Sequence, residues 1–218
     1  MLKGVFVETF VERLQRGEVV AYPTETLIAL GANPFDTLAV ERLIELKERP
    51  TEKGIPLIID MACRVDEWVE AEDLHCAQGR KSLQERFWPG PLTIVFTANS
   101  RAREIFSPLI FGSDFSLAVR LSSSPVAREL AKGLGGAITS TSANISSRPS
   151  ATSFKEVRQI FPELLLVDKL SASNSEGASS GNSLASTILD VRKCPFRILR
   201  EGAIGREQLV GLLGDCSL

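Results

Sequence analysis

Positive charge is not in excess in this chain. Lys and Arg number 25 against 27 Asp and Glu, a net charge of −2. No overall field draws the protein to nucleic acid, so any RNA contact needs a local basic patch. Histidine is nearly missing, with His75 the only one. The four cysteines, Cys63, Cys76, Cys194 and Cys216, form no CxxC pair. These shortages argue against a Cys/His zinc site and against Ser-His or Cys-His covalent catalysis. The cysteines read as separate reduced thiols of a cytosolic protein. No GxxxxGK[ST] phosphate loop occurs. No apolar run approaches the length of a membrane span, and Glu8 and Glu12 interrupt any signal-peptide core. The expectation is a cytoplasmic protein without membrane contact.

What is present is an ordinary globular composition, 44% hydrophobic over 218 residues, enough for one large domain with a real core. Val7, Phe10, Val11 and Leu14 recur at helical spacing, with Gly17 as the stop. Val19–Tyr22 reads as a buried strand ended by Pro23. Asp36 caps a helix carrying Val40, Leu43 and Ile44. Further strands are expected at 56–59, 92–97, 116–121, 137–139, 164–167, 186–191 and 196–200. Helices are expected at 74–87, 126–134, 154–160 and 207–213. The alternation is not strictly βαβ, so the class is α/β with a mixed sheet. The stretch 171–185 holds six Ser, two Gly and two Asn and reads as a flexible loop, either a binding loop or a disordered insertion.

Six segments stand out. Thr24-Glu25-Thr26 follows a strand end, where α/β proteins bind ligands, although Thr24 or Thr26 also suits a helix cap. Lys47 and Arg49 lie two apart and converge only if the helix ends there, as Pro50 encourages. Lys53 follows, and three cations within seven residues suit a triphosphate, or merely a helix C-terminus. Phe87–Thr93, FWPGPLT, reads as a structural corner with Trp88 packed on the core. Ser116, Ala118 and Arg120 share one strand face, and an arginine there needs an anion, a structural carboxylate or a substrate's. Ser140-Thr141-Ser142-Ala143-Asn144 gathers small hydroxyls and an amide after a short apolar stretch, and Arg200 sits at a strand end before Gly202.

In this order the segments resemble the YrdC family, the threonylcarbamoyl-AMP synthases. The marks are Pro23-Thr24-Glu25-Thr26, Lys47/Arg49, Trp88–Thr93, Val119-Arg120, Ser142/Asn144, and Ser186-Thr187-Ile188 with Arg200. They span about residues 5 to 205, and the turn Arg49–Ile55 is most like the short bacterial type. The resemblance implies a YrdC-like twisted mixed β-sheet with flanking helices and a concave cleft, over one domain at 5–205. Residues 206–218 would be its C-terminal helix and tail. Four departures stand out: Ile28 where an aromatic is frequent, Ala29 for Gly, Glu48 for the commoner Gly, and Ser124-Pro125 for His-Pro. Asp60 lies near the place where longer relatives carry a His.

The implied activity is a nucleotidyltransferase that makes L-threonylcarbamoyl-AMP and pyrophosphate from L-threonine, bicarbonate and ATP. A partner complex would pass the threonylcarbamoyl group to adenosine 37 of ANN-reading tRNAs. By resemblance, Thr26, Arg120, Ser142 and Ser186 hold threonine. Arg49, Lys53, Ser116, Asn144, Thr152 and Arg200 hold ATP, and Lys47, Arg49, Ser142 and Asn144 form the catalytic quartet. Mg²⁺ would come mainly on the ATP phosphates, with no protein metal site. The competing implication is a YrdC-like RNA-binding protein without adenylate synthesis. A carbamoyl-phosphate enzyme of hydrogenase maturation is disfavoured, because its zinc-finger-like cysteines are missing.

Overall fold

The computed structural model describes residues 2–50, 54–71, 74–168 and 184–213. Lys53, residues 171–183 of the Ser-rich stretch and the tail 214–218 lie outside the described residues. Among the described residues, ten strands pair in two mixed sheets rather than one. The four-stranded sheet has the order β7 (Thr141–Ser142), β2 (Ala29–Gly31), β1 (Val20–Tyr22), β8 (Leu165–Leu166). The six-stranded sheet has the order β10 (Arg197–Arg200), β9 (Thr187–Asp190), β4 (Leu92–Thr97), β5 (Ser116–Arg120), β3 (Leu57–Ile59), β6 (Ala137–Thr139). Both sheets combine parallel pairs (β1–β8, β3–β5, β4–β9) with antiparallel ones, which makes them mixed.

The two sheets are stitched at β6. The Ala32 N–H just past β2 donates to Thr139 Oγ1 at 2.7 Å, and the only tyrosine, Tyr22 of β1, donates its hydroxyl to Thr139 O at 2.9 Å. Both groups are buried, so each bond satisfies an atom that would otherwise be costly inside.

Helices cover the sheets by their apolar stripes. In α1 (Leu2–Gln15), Val7, Phe10, Val11 and Leu14 pack with Ala127, Leu130 and Ala131 of α6 (Pro125–Gly133). α2 (Thr37–Lys47) starts as expected: the Asp36 carboxylate accepts from Leu38 N–H at 2.9 Å. α3 (Arg64–Trp68) and α5 (Ser100–Ile105) flank an aromatic cluster in which Trp68 meets Phe106 edge-on, centroids 4.9 Å apart. α7 (Phe154–Ile160) and α8 (Arg206–Leu213) complete the set.

α4 (Leu74–Phe87) overturns one expectation. Its Cys76 is joined by a disulfide to Cys194 in the turn between β9 and β10, Cα atoms 6.3 Å apart. The cysteines are therefore not four separate thiols. Gly79 allows the approach, since a Cβ there would stand 2.9 Å from the Phe196 ring. A partnership across 118 residues leaves no trace in local spacing. Cys63 is a free, exposed thiol.

Candidate active site

One face of the six-stranded sheet floors a cleft of about 680 Å³. Side chains on a strand alternate between faces, so β4 gives it Thr93 and Val95, and β5 gives Ser116, Ala118 and Arg120. The opposite wall comes from the turn after β1, with Thr24, Thr26 and Leu27, and from Ser140, Thr141 and Ser142. Ser186, Ile188 and Arg200 close the β9–β10 end.

The turn after β1 starts no helix. Thr24 Oγ1 accepts from Thr26 N–H at 3.2 Å and donates to Leu27 O at 2.6 Å, which fixes a tight bend into β2. The bend carries Glu25 to Arg120: Oε1 and Nη1 are 2.9 Å apart, and the same nitrogen donates to Thr26 Oγ1 at 3.1 Å. Ser122 Oγ donates to the other Glu25 oxygen. A structural carboxylate therefore already neutralises Arg120, while Arg120 still lines the cleft.

At the other end, Arg200 donates through Nε and Nη2 to Ser186 O, at 3.1 and 2.8 Å. It also reaches Ser186 Oγ at 3.1 Å, and that hydroxyl is 2.8 Å from Thr93 Oγ1. Burial lowers the Arg200 pKa, and the charge of Arg120 adds to the effect. Arg49 donates to Gly54 O at 2.8 Å and is likewise lowered by burial. Guanidinium groups stay charged through such shifts. Arg49 and Arg200 thus concentrate positive charge in the cleft of a protein whose net charge is −2, beside Arg120, whose charge Glu25 balances. A fourth, Arg192, also lines it but is bound to Asp190 and Asp114, which raise its pKa.

Lys47 does not join them. α2 ends on Glu48, between Lys47 and Arg49, in the left-handed conformation, φ 49°. This is the place where Gly is the easier residue, since it has no Cβ to crowd. Lys47 is 2% exposed and turns beneath the 142–144 loop. Its ammonium donates to Ser142 O, to Asn144 O at 2.8 Å and to Asn144 Oδ1 at 3.2 Å. The expected place of Lys47 in the cleft beside Arg49 is corrected: its ammonium lies behind the Ser142 wall, though still near enough to Arg49 for the two charges to interact. Asn144 is also occupied within its loop, accepting from Ser142 Oγ at 2.6 Å and donating to Ile145 O and Arg148 O. Neither Lys47 nor Asn144 lines the cleft.

One further expectation changes. Thr152 is exposed and bonded to Glu156, whereas Ser150, two residues earlier, lines the cleft. Asp60 is held by Arg64 at 3.1 Å and does not line it. The Trp88 turn is structural as read, its indole N–H donating to Leu92 O at 2.7 Å. Thr93 just beyond it is nevertheless a cleft residue that sequence reasoning passed over, although strand alternation with Val95 could have found it.

A family profile named Sua5/YciO/YrdC and described as telomere recombination matches residues 12–202. The chain belongs to the Sua5/YciO/YrdC family. The threonylcarbamoyl-AMP synthase of Chromohalobacter salexigens is 39% identical over 182 residues, 84% of this chain and 90% of that one. The synthase of Photobacterium profundum is 35% identical, over 90% of this chain and 98% of its own. A crystal structure of Pyrococcus abyssi Sua5 complexed with L-threonine superposes with TM-score 0.82 at 28% identity. It covers 96% of this chain, which spans 58% of that longer one. Escherichia coli YciO shares the fold, with TM-score 0.73 at 19% identity. Membership makes the chain an enzyme of nucleotidyltransferase type. Among the described residues, no helix is long and apolar enough to cross a membrane.

The Lys47 clamp gives this family member a pH signature. Burial, helped by the charge of Arg49, brings the ammonium down to about 8 from 10.5. Between these values the unfolded chain keeps the proton and the folded one releases it. This group's contribution to stability therefore increases as pH rises through that window. The neutral amine, however, has two N–H groups for three acceptors, so the loop loosens. Activity is expected to fall above about pH 8 with no matching fall in unfolding midpoint attributable to this group. Parallel pH series of rate and thermal unfolding check this, and a rate that stays flat to pH 10 refutes it.

Proposed function

We propose that this chain is a threonylcarbamoyl-AMP synthase. It converts L-threonine, bicarbonate and ATP into L-threonylcarbamoyl-AMP, pyrophosphate and water. The observation that carries this reading is the meeting of Arg49, Arg120 and Arg200 with the hydroxyls of Thr26, Ser142 and Ser186 in one cleft. The named relatives, and the Sua5 structure complexed with L-threonine, support it.

The amine of threonine and bicarbonate form an N-carboxylate with loss of water. One of its oxygens attacks the α-phosphorus of ATP, and pyrophosphate leaves. An N-carboxylate is a weak nucleophile, so the protein contributes alignment and charge neutralisation rather than a covalent intermediate. Arg120 takes the substrate carboxylate, with Thr26, Ser142 and Ser186 around the rest of threonine. Arg49, Ser116 and Arg200 take the nucleotide, joined by Lys53 from its place in the family motif. Lys47 and Asn144 act from below by shaping the Ser142 loop. Among the described residues no cluster of three His, Cys, Asp or Glu could hold a metal. The charged side chains that line the cleft are all arginines, so Mg²⁺ suits the ATP phosphates rather than a protein cage.

Residues 5–205 would act as one YrdC-like domain, with 206–218 as its C-terminal helix and tail. The product would feed a cytoplasmic partner complex that transfers the threonylcarbamoyl group to adenosine 37 of ANN-reading tRNAs. The test is direct: purified protein with ATP, Mg²⁺, threonine and bicarbonate should release pyrophosphate, and omitting threonine or bicarbonate should stop it. Protein that binds tRNA but releases no pyrophosphate with any divalent ion would refute the synthase and favour an RNA-binding role.

A further inference from the structure

Glu25 spans the two walls of the cleft, and the proposed reaction gives it no part. It stands on the turn between β1 and β2, in the four-stranded sheet, and grips Arg120 at the end of β5, in the six-stranded one. The grip is sheltered: the Arg120 side chain is 6% exposed and that of Glu25 19%. Glu25 is itself fixed from both sides. Ser122 Oγ donates to one of its oxygens, and Ser124 Oγ donates to Pro23 O at 2.8 Å, two residues before it.

The consequence lies in which nitrogens remain. Glu25 and Thr26 both take Nη1 of Arg120. The Nε and Nη2 edge has no hydrogen-bond partner among the described residues, and Arg120 lines the cleft. That edge presents two parallel N–H groups, the fork that matches a carboxylate. We propose that Glu25 is a positioning residue that turns the Arg120 fork toward the α-carboxylate of the amino-acid substrate. The inference rests on the synthase reading above. Without Glu25 the guanidinium keeps its charge but loses its fixed azimuth, and a bidentate pair depends on orientation more than a point contact does.

The experiment is threonine-dependent pyrophosphate release with threonine and ATP varied in turn. Glu25→Ala is expected to raise the KM for threonine by about tenfold or more and leave the KM for ATP within about twofold, the pattern of lost substrate binding rather than lost fold. Glu25→Gln keeps an amide oxygen toward Arg120 and should restore the threonine KM to within about threefold. Should Glu25→Ala not fold, Glu25→Asp carries the test: its charge is kept, its reach is one methylene shorter, and the same selective rise is expected. Equal rises in both KM values, or a fall in kcat alone, would assign Glu25 a merely structural role and overturn the proposal. A lower threonine KM in Glu25→Ala would show that Glu25 competes with substrate for Arg120, and would overturn it too. Wild-type protein with no threonine-dependent release overturns the synthase reading and this inference together. Active wild type with an unaffected Glu25→Ala overturns the inference alone.

Discussion

Arg49→Ala is expected to cut threonine-dependent pyrophosphate release by about a hundredfold, the scale of losing one charge-stabilising donor at a reacting centre. Its unfolding should stay cooperative, with a midpoint close to wild type, because Arg49 is only partly buried at a helix end. Lys47→Ala should lose comparable activity for a different reason. Removing the ammonium leaves Asn144 O without its donor and takes one of two donors from Ser142 O and from Asn144 Oδ1, in a site that is 2% exposed. The lost donors and the space left by the side chain together cost about 3 kcal/mol. For a chain of this size that lowers the midpoint by roughly 6–12 °C. The pair separates two kinds of cation that the Lys47-Glu48-Arg49 segment presents side by side. Activity lost in both with stability lost only in Lys47→Ala supports the division between cleft and clamp. A stable, inactive Lys47→Ala would put Lys47 back among the groups that meet substrate.

The same contrast shows what could be read from the sequence. Alternation along β5 placed Ser116, Ala118 and Arg120 on one face, and all three line the cleft. The period of a strand carries that information locally. Asp36 announced α2, and the helices at 74–87 and 154–160 have the expected bounds. The division into two sheets was not legible. β2 is only the three residues Ala29–Gly31, with no pattern of its own, and it forms by pairing with β1 across Val20↔Gly31. Nor was the burial of Lys47. A lysine at a helix end is ordinarily solvated, and its partners lie nearly a hundred residues away. The Glu25–Arg120 pair failed to show for the same reason: Arg120 announced a need for an anion, but only the fold selects which carboxylate meets it.

Substrate choice gives the second large effect. Threonine amide is expected to support no measurable turnover, because the free Nε–Nη2 edge of Arg120 then faces a neutral group in a cleft already rich in positive charge. Valine has nearly the shape of threonine but offers a methyl where threonine offers a hydroxyl. The groups around that hydroxyl are partly paired with one another in the free protein: Thr26 with Thr24 at 3.1 Å, Ser142 with Asn144 at 2.6 Å, Ser186 with Thr93 at 2.8 Å. A methyl therefore strands fewer of them than it would in a site with no internal pairing. The loss for valine should lie near a hundredfold rather than the roughly 10⁴–10⁵-fold of a site built around one unshared hydrogen bond. Serine keeps the hydroxyl and lacks the methyl. Ile28, buried at 2% exposure, lines the cleft as an apolar surface on which a methyl can rest. Losing that contact should cost about tenfold, the worth of one methylene in an apolar pocket. The expected order of kcat/KM is threonine, serine, valine, with threonine amide last. Valine ahead of serine would mean that Ile28 dominates the pocket and that the hydroxyls of Thr26, Ser142 and Ser186 do not select the substrate.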